Sequence, residues 1–144
     1  MKKQVLRIVV FAMAISAASA LMAQGPPVKV AVNVPFEFVV GSQHMPPGRY
    51  MVASAANGVL RIYDREVAEN QMFLPVNSIE SNSPKDAKLV FHRYGDTYFL
   101  AEVWNGNSAI GRQVLKSKAE KEIIAGRLNA PRPKAEVAVV RPEQ

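Results

Sequence analysis

Valine and phenylalanine occupy every even position from 28 to 40 (Val28, Val30, Val32, Val34, Phe36, Phe38, Val40), while the odd positions are mostly polar or proline: Lys29, Asn33, Pro35 and Glu37. A period of two held over thirteen residues predicts a strand with one buried face. Pro35 cannot donate to a ladder, so a bend, a bulge or an edge position is expected there. The following "MPPGRY" predicts a turn, with Gly48 supplying the positive φ of a type II geometry.

Next, "RYMVASAANGVLRIYD" carries Asn57-Gly58, a strong hairpin signal that favours a type I′ turn. Regular pairing around that turn places Met51, Ala53, Ala55, Leu60 and Ile62 on one, core-facing side. Tyr50, Val52, Ser54, Arg61 and Tyr63 fall on the other. "NQMFLPVNSI" predicts a further strand whose proline suggests an edge, and "ESNSPKDAK" a surface loop.

The segment "KLVFHRYGDTYFLAEVW" predicts a second hairpin, with Gly95-Asp96 as a type II′ turn. Opposite partners are then Tyr94 with Thr97, Arg93 with Tyr98, His92 with Phe99, and so on down to Leu89 with Glu102. One face holds Leu89, Phe91, Arg93, Tyr98, Leu100, Glu102 and Trp104. The other holds Val90, His92, Tyr94, Thr97, Phe99, Ala101 and Val103. Two faces that are both apolar in the middle predict a central hairpin, covered by a facing sheet on one side and a helix on the other.

Asn105-Gly106-Asn107 predicts a turn before a short "IGRQVL" strand. The period then changes. In residues 117–128, Ala119, Ile123, Ile124 and Leu128 form an apolar stripe at helical spacing, and Ser117 with Glu120 fits a capping box. Gly126, Asn129 and Pro131 close the helix, and "AEVAVV" beyond it either joins a sheet edge or remains a loose tail. Short strands between turn signals and one late helix give a mainly β chain. The expectation is a small antiparallel β-sandwich or partly open barrel with a C-terminal helix.

The N-terminus reads differently. Lys2, Lys3 and Arg7 precede an uncharged apolar run from Ile8 to Ala18, followed by Ala18-Ser19-Ala20 and Ala23 as small-residue cleavage points. That order predicts an export signal over residues 1–23 and a single mature domain over 24–144, periplasmic or extracellular. The apolar run is shorter than the roughly 20 residues a membrane span needs, so the mature chain is expected not to span a membrane. No cysteine is present, which excludes lipidation at a cysteine, thiolate metal sites and disulfides.

Charge changes the picture little. The formal net charge is +6, and without Lys2, Lys3 and Arg7 the chain keeps 15 basic against 12 acidic residues. From Gly111 onward there are 8 basic and 4 acidic residues. A nearly neutral body with a basic tail does not point to nucleic acid.

Catalytic and metal-binding patterns are absent: no H-E-x-x-H, no G-x-S-x-G, no phosphate loop and no alternating Asp/Asn calcium loop. No cofactor, metal or catalytic residue is assigned. His44 reads as a solvated loop residue. Arg49-Tyr50 and Arg61/Tyr63 read as the outer face of the first hairpin, and Glu120 and Glu122 as charges on a solvated helix face. Arg93, Tyr98 and Trp104, which regular pairing puts on one face, are residue types enriched at binding hot spots and form the candidate ligand-binding patch.

"VNVPFEFVVGSQHMPPGRYMV", "KLVFHRYGDTYFLAEVW" and "SKAEKE" together resemble a family of small exported bacterial proteins of unknown function. Its recurring features are a Val-Pro-Phe strand, a Leu-Pro-x-Gly-x-Tyr turn and a late Arg-Tyr-Gly hairpin before a charged helix. Met45 stands in place of the leucine. The resemblance implies export and a β-rich fold, and carries no catalytic residue. The leading expectation is an exported, non-catalytic binding or envelope-associated module. The rival is a small carrier or hydrolytic enzyme for an apolar or sugar ligand, with His92, Tyr94 or Glu102 in its pocket. The partner is left open. Self-association, if it occurs, is expected along the proline-marked edges.

Overall fold

Pro35 divides the long N-terminal apolar run into two strands that serve different parts of one sheet. In the computed structural model, which describes residues 27–67, 71–82, 86–126 and 136–142, β1 (Lys29–Val34) pairs antiparallel with β4 (Gly48–Ala56). The chain breaks at Pro35, and β2 (Phe38–Val40) runs parallel to β8 (Thr97–Asn105) through Val39 and Phe99. The two-residue period survives the break: Val28, Val30, Val32, Val34, Phe38 and Val40 are all buried in the main core. The expected signal segment, residues 1–23, lies outside the described residues.

β2 turns through Gly41 (φ 61) into the short β3 (Gln43–Met45). Positive φ belongs to Gly41 here and not to Gly48, which already opens β4. β4 pairs with β5 (Val59–Asp64), and β5 with the first half of β6 (Gln71–Glu80). At Pro75 the long strand changes partner: Gln71 to Pro75 face β5, whereas Val76 to Glu80 face β9 (Ile110–Val114). The proline therefore marks a crossing within the sheet and not the edge its sequence suggested. Lacking an N–H costs little where the ladder switches strands, and its carbonyl still accepts from Leu115 N–H.

β9 pairs with β8, β8 with β7 (Ala87–Tyr94), and β7 with β10 (Glu136–Val140). The C-terminal "AEVAVV" thus adds a strand to β7. Among the described residues ten strands form one continuous mixed sheet that does not close into a barrel, antiparallel except where β2 meets β8. The sheet folds back so that β1 packs against β7, β8 and β10. Its two halves share one core in which Tyr50, Phe38, Phe91, Leu60, Ile62, Leu89 and Val103 are almost completely buried. Each such side chain contributes about 1.5–3 kcal/mol.

The first hairpin differs from regular pairing in an instructive way. A type I′ turn needs positive φ at both central residues, but Gly58 (φ 67) alone adopts it and Asn57 does not. The ladder slips between Ser54 and Ala56, so Ser54 faces Leu60 and Val52 faces Ile62. One extra residue in β4 reverses its faces. Tyr50 and Val52 become core, and Met51 and Ala53 turn outward. The Tyr50 hydroxyl, sunk with its ring, donates to the Pro46 carbonyl at 2.6 Å.

α1 (Lys118–Ala125) begins where the cap pattern placed it: Ser117 Oγ accepts from Glu120 N–H at 3.1 Å. Residues 127 and 128, the expected end of that helix, lie outside the described residues. Ile123 and Ile124 pack on Val39, Tyr94 and Phe99, a second small core on the far side of the β7–β8 hairpin. That hairpin is covered by sheet on one face and helix on the other, as its two apolar faces require. No described helix is long and apolar enough to cross a membrane.

Candidate functional site

The β7–β8 hairpin follows regular pairing from the turn inward as far as Phe91 opposite Leu100, with Gly95 at the positive φ (64°) a type II′ turn needs. Beyond that point the register shifts, and Val90 faces Glu102, Leu89 faces Val103, and Lys88 faces Trp104. The bulge moves Glu102 and Trp104 to the face opposite Arg93 and Tyr98, so the three-residue patch read from sequence is divided.

Arg93 and Tyr98 do meet. The guanidinium lies 5.5 Å from the Tyr98 ring centre, and its Nε donates to the Gly95 carbonyl at 2.7 Å. Tyr98 in turn stacks on Phe36 at 4.1 Å, and Phe36 meets Phe91 edge to face. The pair thus continues the aromatic core toward its rim.

Trp104 is buried on the other face, where its indole N–H donates to Glu102 Oε2 at 2.8 Å and Lys88 lies over the ring. Its ring rests on Gly111: a Cβ built there would stand 2.6 Å from ring carbon Cε3. Close ring-on-backbone packing explains that glycine, and it places Trp104 in the structure of the sheet.

On the helix-covered face a polar cluster sits inside the second core. Glu120 is 3% exposed, although its place in a charged helix suggested a solvated residue. Its Oε1 accepts from His92 Nδ1 at 2.9 Å and from the Tyr94 hydroxyl at 3.0 Å, with Lys116 Nζ 3.7 Å away. An ionised carboxylate only accepts, so His92 carries its proton on Nδ1. Burial alone raises the Glu120 carboxyl, but the hydrogen bonds from His92 and Tyr94 and the nearby Lys116 charge together hold it below the usual value. Burial and the same carboxylate push the Tyr94 hydroxyl up to about 12. The cluster satisfies itself and ties α1 to β7. Only half of the capping box forms, because the Glu120 side chain reaches into the sheet.

A third arrangement was not read from sequence. At the end of the molecule where β6 changes partner, a cleft of about 460 Å³ is lined by Pro27, the β4–β5 turn from Ser54 to Leu60, Val76, Ser78 and Arg112. On β9, Arg112 sits opposite Ser78 of β6 and opposite Val103 of β8. It therefore occupies the inner face, where Val76, Val103 and Val114 belong to the core. Arg112 is 9% exposed, and its Nη1 donates to Ser78 Oγ at 3.1 Å and to the Gly111 carbonyl at 3.4 Å. Ser54, on the opposite wall, is held by Val28 N–H, which donates to its Oγ at 2.8 Å. The sequence signal was the alternation of β9: Ile110, Arg112 and Val114 share one face, and the middle one is charged.

Neither histidine lines the cleft. His44 is exposed beside Glu37, with Nδ1 2.9 Å from Oε1, and His92 is engaged by Glu120. Arg61 lies over Tyr63 as expected of an outer face, whereas Tyr50 is core. Among the described residues no group of three or more histidines, aspartates or glutamates is placed to hold a metal ion. The chain matches no protein-family model, no curated protein and no solved structure.

Proposed function

We propose that the chain is an exported, non-catalytic β-domain that binds a small ligand in the cleft beside Arg112. The observation that carries this reading is a guanidinium on the inner face of a sheet, next to an open cleft and not on a solvated surface. Cleft volumes of this order are typical of small-molecule sites. Among the described lining residues there is neither a histidine nor a carboxylate, which favours retention of a ligand over turnover. His92, Tyr94 and Glu102, the groups a hydrolytic enzyme would have used, lie outside the lining.

Export rests on the Lys2–Ala23 pattern, and the resemblance to small exported bacterial proteins points the same way. Self-association would run along β1, which ends the strand order. The reading is tested by fractionating cells, sequencing the mature N-terminus and recording native mass spectra of the purified protein. The expected result is a periplasmic or medium-borne chain starting at Leu21 or Gln24 that retains a small molecule, and loses it in Ala56→Phe, which fills the cleft. A cytoplasmic chain with an intact N-terminus contradicts export. A ligand retained unchanged in Ala56→Phe contradicts the site.

A further inference from the structure

Independently of the cleft, we infer that the outer face of the β1–β4–β5–β6 part of the sheet docks on an anionic lipid surface. Strand register assembles this face from positions far apart in sequence. One row across the four strands runs from Lys29 through Arg61 to Phe73, and the next passes through Met51 and Tyr63. Arg49 stands one row further on. These residues alternate along their strands with Val30, Tyr50, Val52, Leu60, Ile62 and Leu74, which fill the core, so they point away from it. Phe73, at 61%, is the most exposed large hydrophobic side chain among the described residues. Beside it the Arg61 guanidinium lies 4.7 Å from the Tyr63 ring centre, and its Nη1 donates to Gln71 Oε1 at 3.4 Å.

Charge selects an anionic partner. The outward positions of β1, β4, β5 and the Gln71–Pro75 half of β6 carry Lys29, Arg49 and Arg61 and no carboxylate. Asp64 has the other parity, opposite Tyr50, and its Oδ1 accepts from the Glu66 N–H at 2.7 Å. Composition then selects a bilayer. An exposed phenylalanine beside methionine and tyrosine can bury among acyl chains, while long cationic side chains keep their charges with the lipid phosphates. A protein partner is disfavoured by size. Four strands by about five residues make a face of about 300 Å², against about 800 Å² per partner in a stable complex. An acidic polysaccharide is disfavoured by the polar inventory. Sugar hydroxyls need side chains that accept as well as donate, whereas Phe73 does neither and the Gln71 oxygen is already engaged by Arg61.

The test is co-sedimentation of the mature full chain with vesicles of phosphatidylcholine alone and of phosphatidylcholine mixed equally with phosphatidylglycerol. Binding to the mixed vesicles is expected to be at least about tenfold tighter. It should weaken as salt shortens the Debye length from about 10 Å at 0.1 M to about 3 Å at 1 M. Phe73→Ser is expected to lower affinity for the mixed vesicles about tenfold, and Lys29→Gln combined with Arg49→Gln to lower it about as much. All three side chains are exposed, so these variants keep the fold. Val139→Ser, which removes an exposed hydrophobic side chain from β10, is expected to bind like the parent. No vesicle binding, equal binding to both compositions, or parent-like affinity in either the Phe73 or the double variant overturns the inference. So does a loss in Val139→Ser as large as in Phe73→Ser, or retention on polygalacturonate beads without binding to vesicles. None of these outcomes bears on ligand retention in the cleft, which native mass spectrometry reads separately.

Discussion

Among the described residues two charged side chains are buried, Glu120 and Arg112, and their surroundings differ. Glu120 lies between α1 and the β7–β8 hairpin, where a histidine, a tyrosine and a lysine converge on one carboxylate oxygen. Arg112 lies on the inner face of β9, where its Nη1 donates to oxygens of Ser78 and Gly111, and it borders an open cleft. The first buried charge fastens one element to another. The second stands at the wall of a cleft. The first belongs to stability; the second, on the proposed reading, borders the binding cleft.

The largest effect that separates them is expected from Glu120→Ala. Removing the carboxylate leaves His92 and Tyr94 without their acceptor in a dry setting, and loss of about 3–5 kcal/mol is expected in urea unfolding. Cleft binding should be unaffected in whatever fraction remains folded. A loss below about 1 kcal/mol, the range of surface pairs, would mean that the cluster does not fasten α1.

Next in size is the packing of Trp104 on Gly111. Gly111→Ala puts a methyl group 2.6 Å from a ring carbon and is expected to cost about 1–3 kcal/mol. Since Gly111 adjoins Arg112, weaker retention of the cleft ligand should accompany the lost stability. Intact binding would show that the guanidinium is positioned independently of the indole.

The pH response sharpens the contrast further. The Glu120 carboxyl is lower in the folded state than its usual value. Its contribution is therefore fully present above the unfolded pKa near 4.5 and is lost as pH falls below it through the folded value. Tyr94 is shifted the other way, up to about 12 from 10.0, so its contribution is complete below 10 and lost as pH rises toward 12. Urea midpoints should fall at both ends of the pH range. Glu120→Gln should flatten the acid limb, and Tyr94→Phe the part of the alkaline limb that Tyr50, also raised, does not supply. Unchanged limbs would show that these groups titrate alike in both states.

Much of this arrangement was legible in the sequence. Alternation located the strands, the Ser117 cap located α1, and the two apolar faces of residues 89–103 foretold a hairpin covered on both sides. What alternation could not show was where a strand gains a residue. The bulge beside Ala55 turned Tyr50 and Val52 inward, and the one after Leu100 separated Trp104 from Arg93 and Tyr98. Bulges change the parity of every residue beyond them while leaving the local letters unremarkable. Glu120 was misread for a related reason: a helix position is judged solvated from its neighbours in sequence, but its partners come from β7, 26 and 28 residues away. Pro75 looked like an edge because its missing donor was visible and the strand crossing that tolerates it was not.

The smallest effect concerns the outer face. Phe73 is 61% exposed and shares in neither buried charge. Phe73→Ser is expected to change stability by no more than about 0.5 kcal/mol and to leave cleft binding alone, as measured by urea unfolding and native mass spectrometry. A larger change would couple that face to the cleft.

The division between a fastening end and a receiving end is tested most directly by comparing amide hydrogen exchange in the ligand-stripped protein with that in the protein that retains its cleft ligand. Protection is expected to rise at the β4–β5 turn, at Val76 and Ser78 and along β9, with α1 and Tyr94 unchanged. Protection that rises at α1 and the Glu120 cluster, while the Arg112 cleft stays as it was, would contradict it.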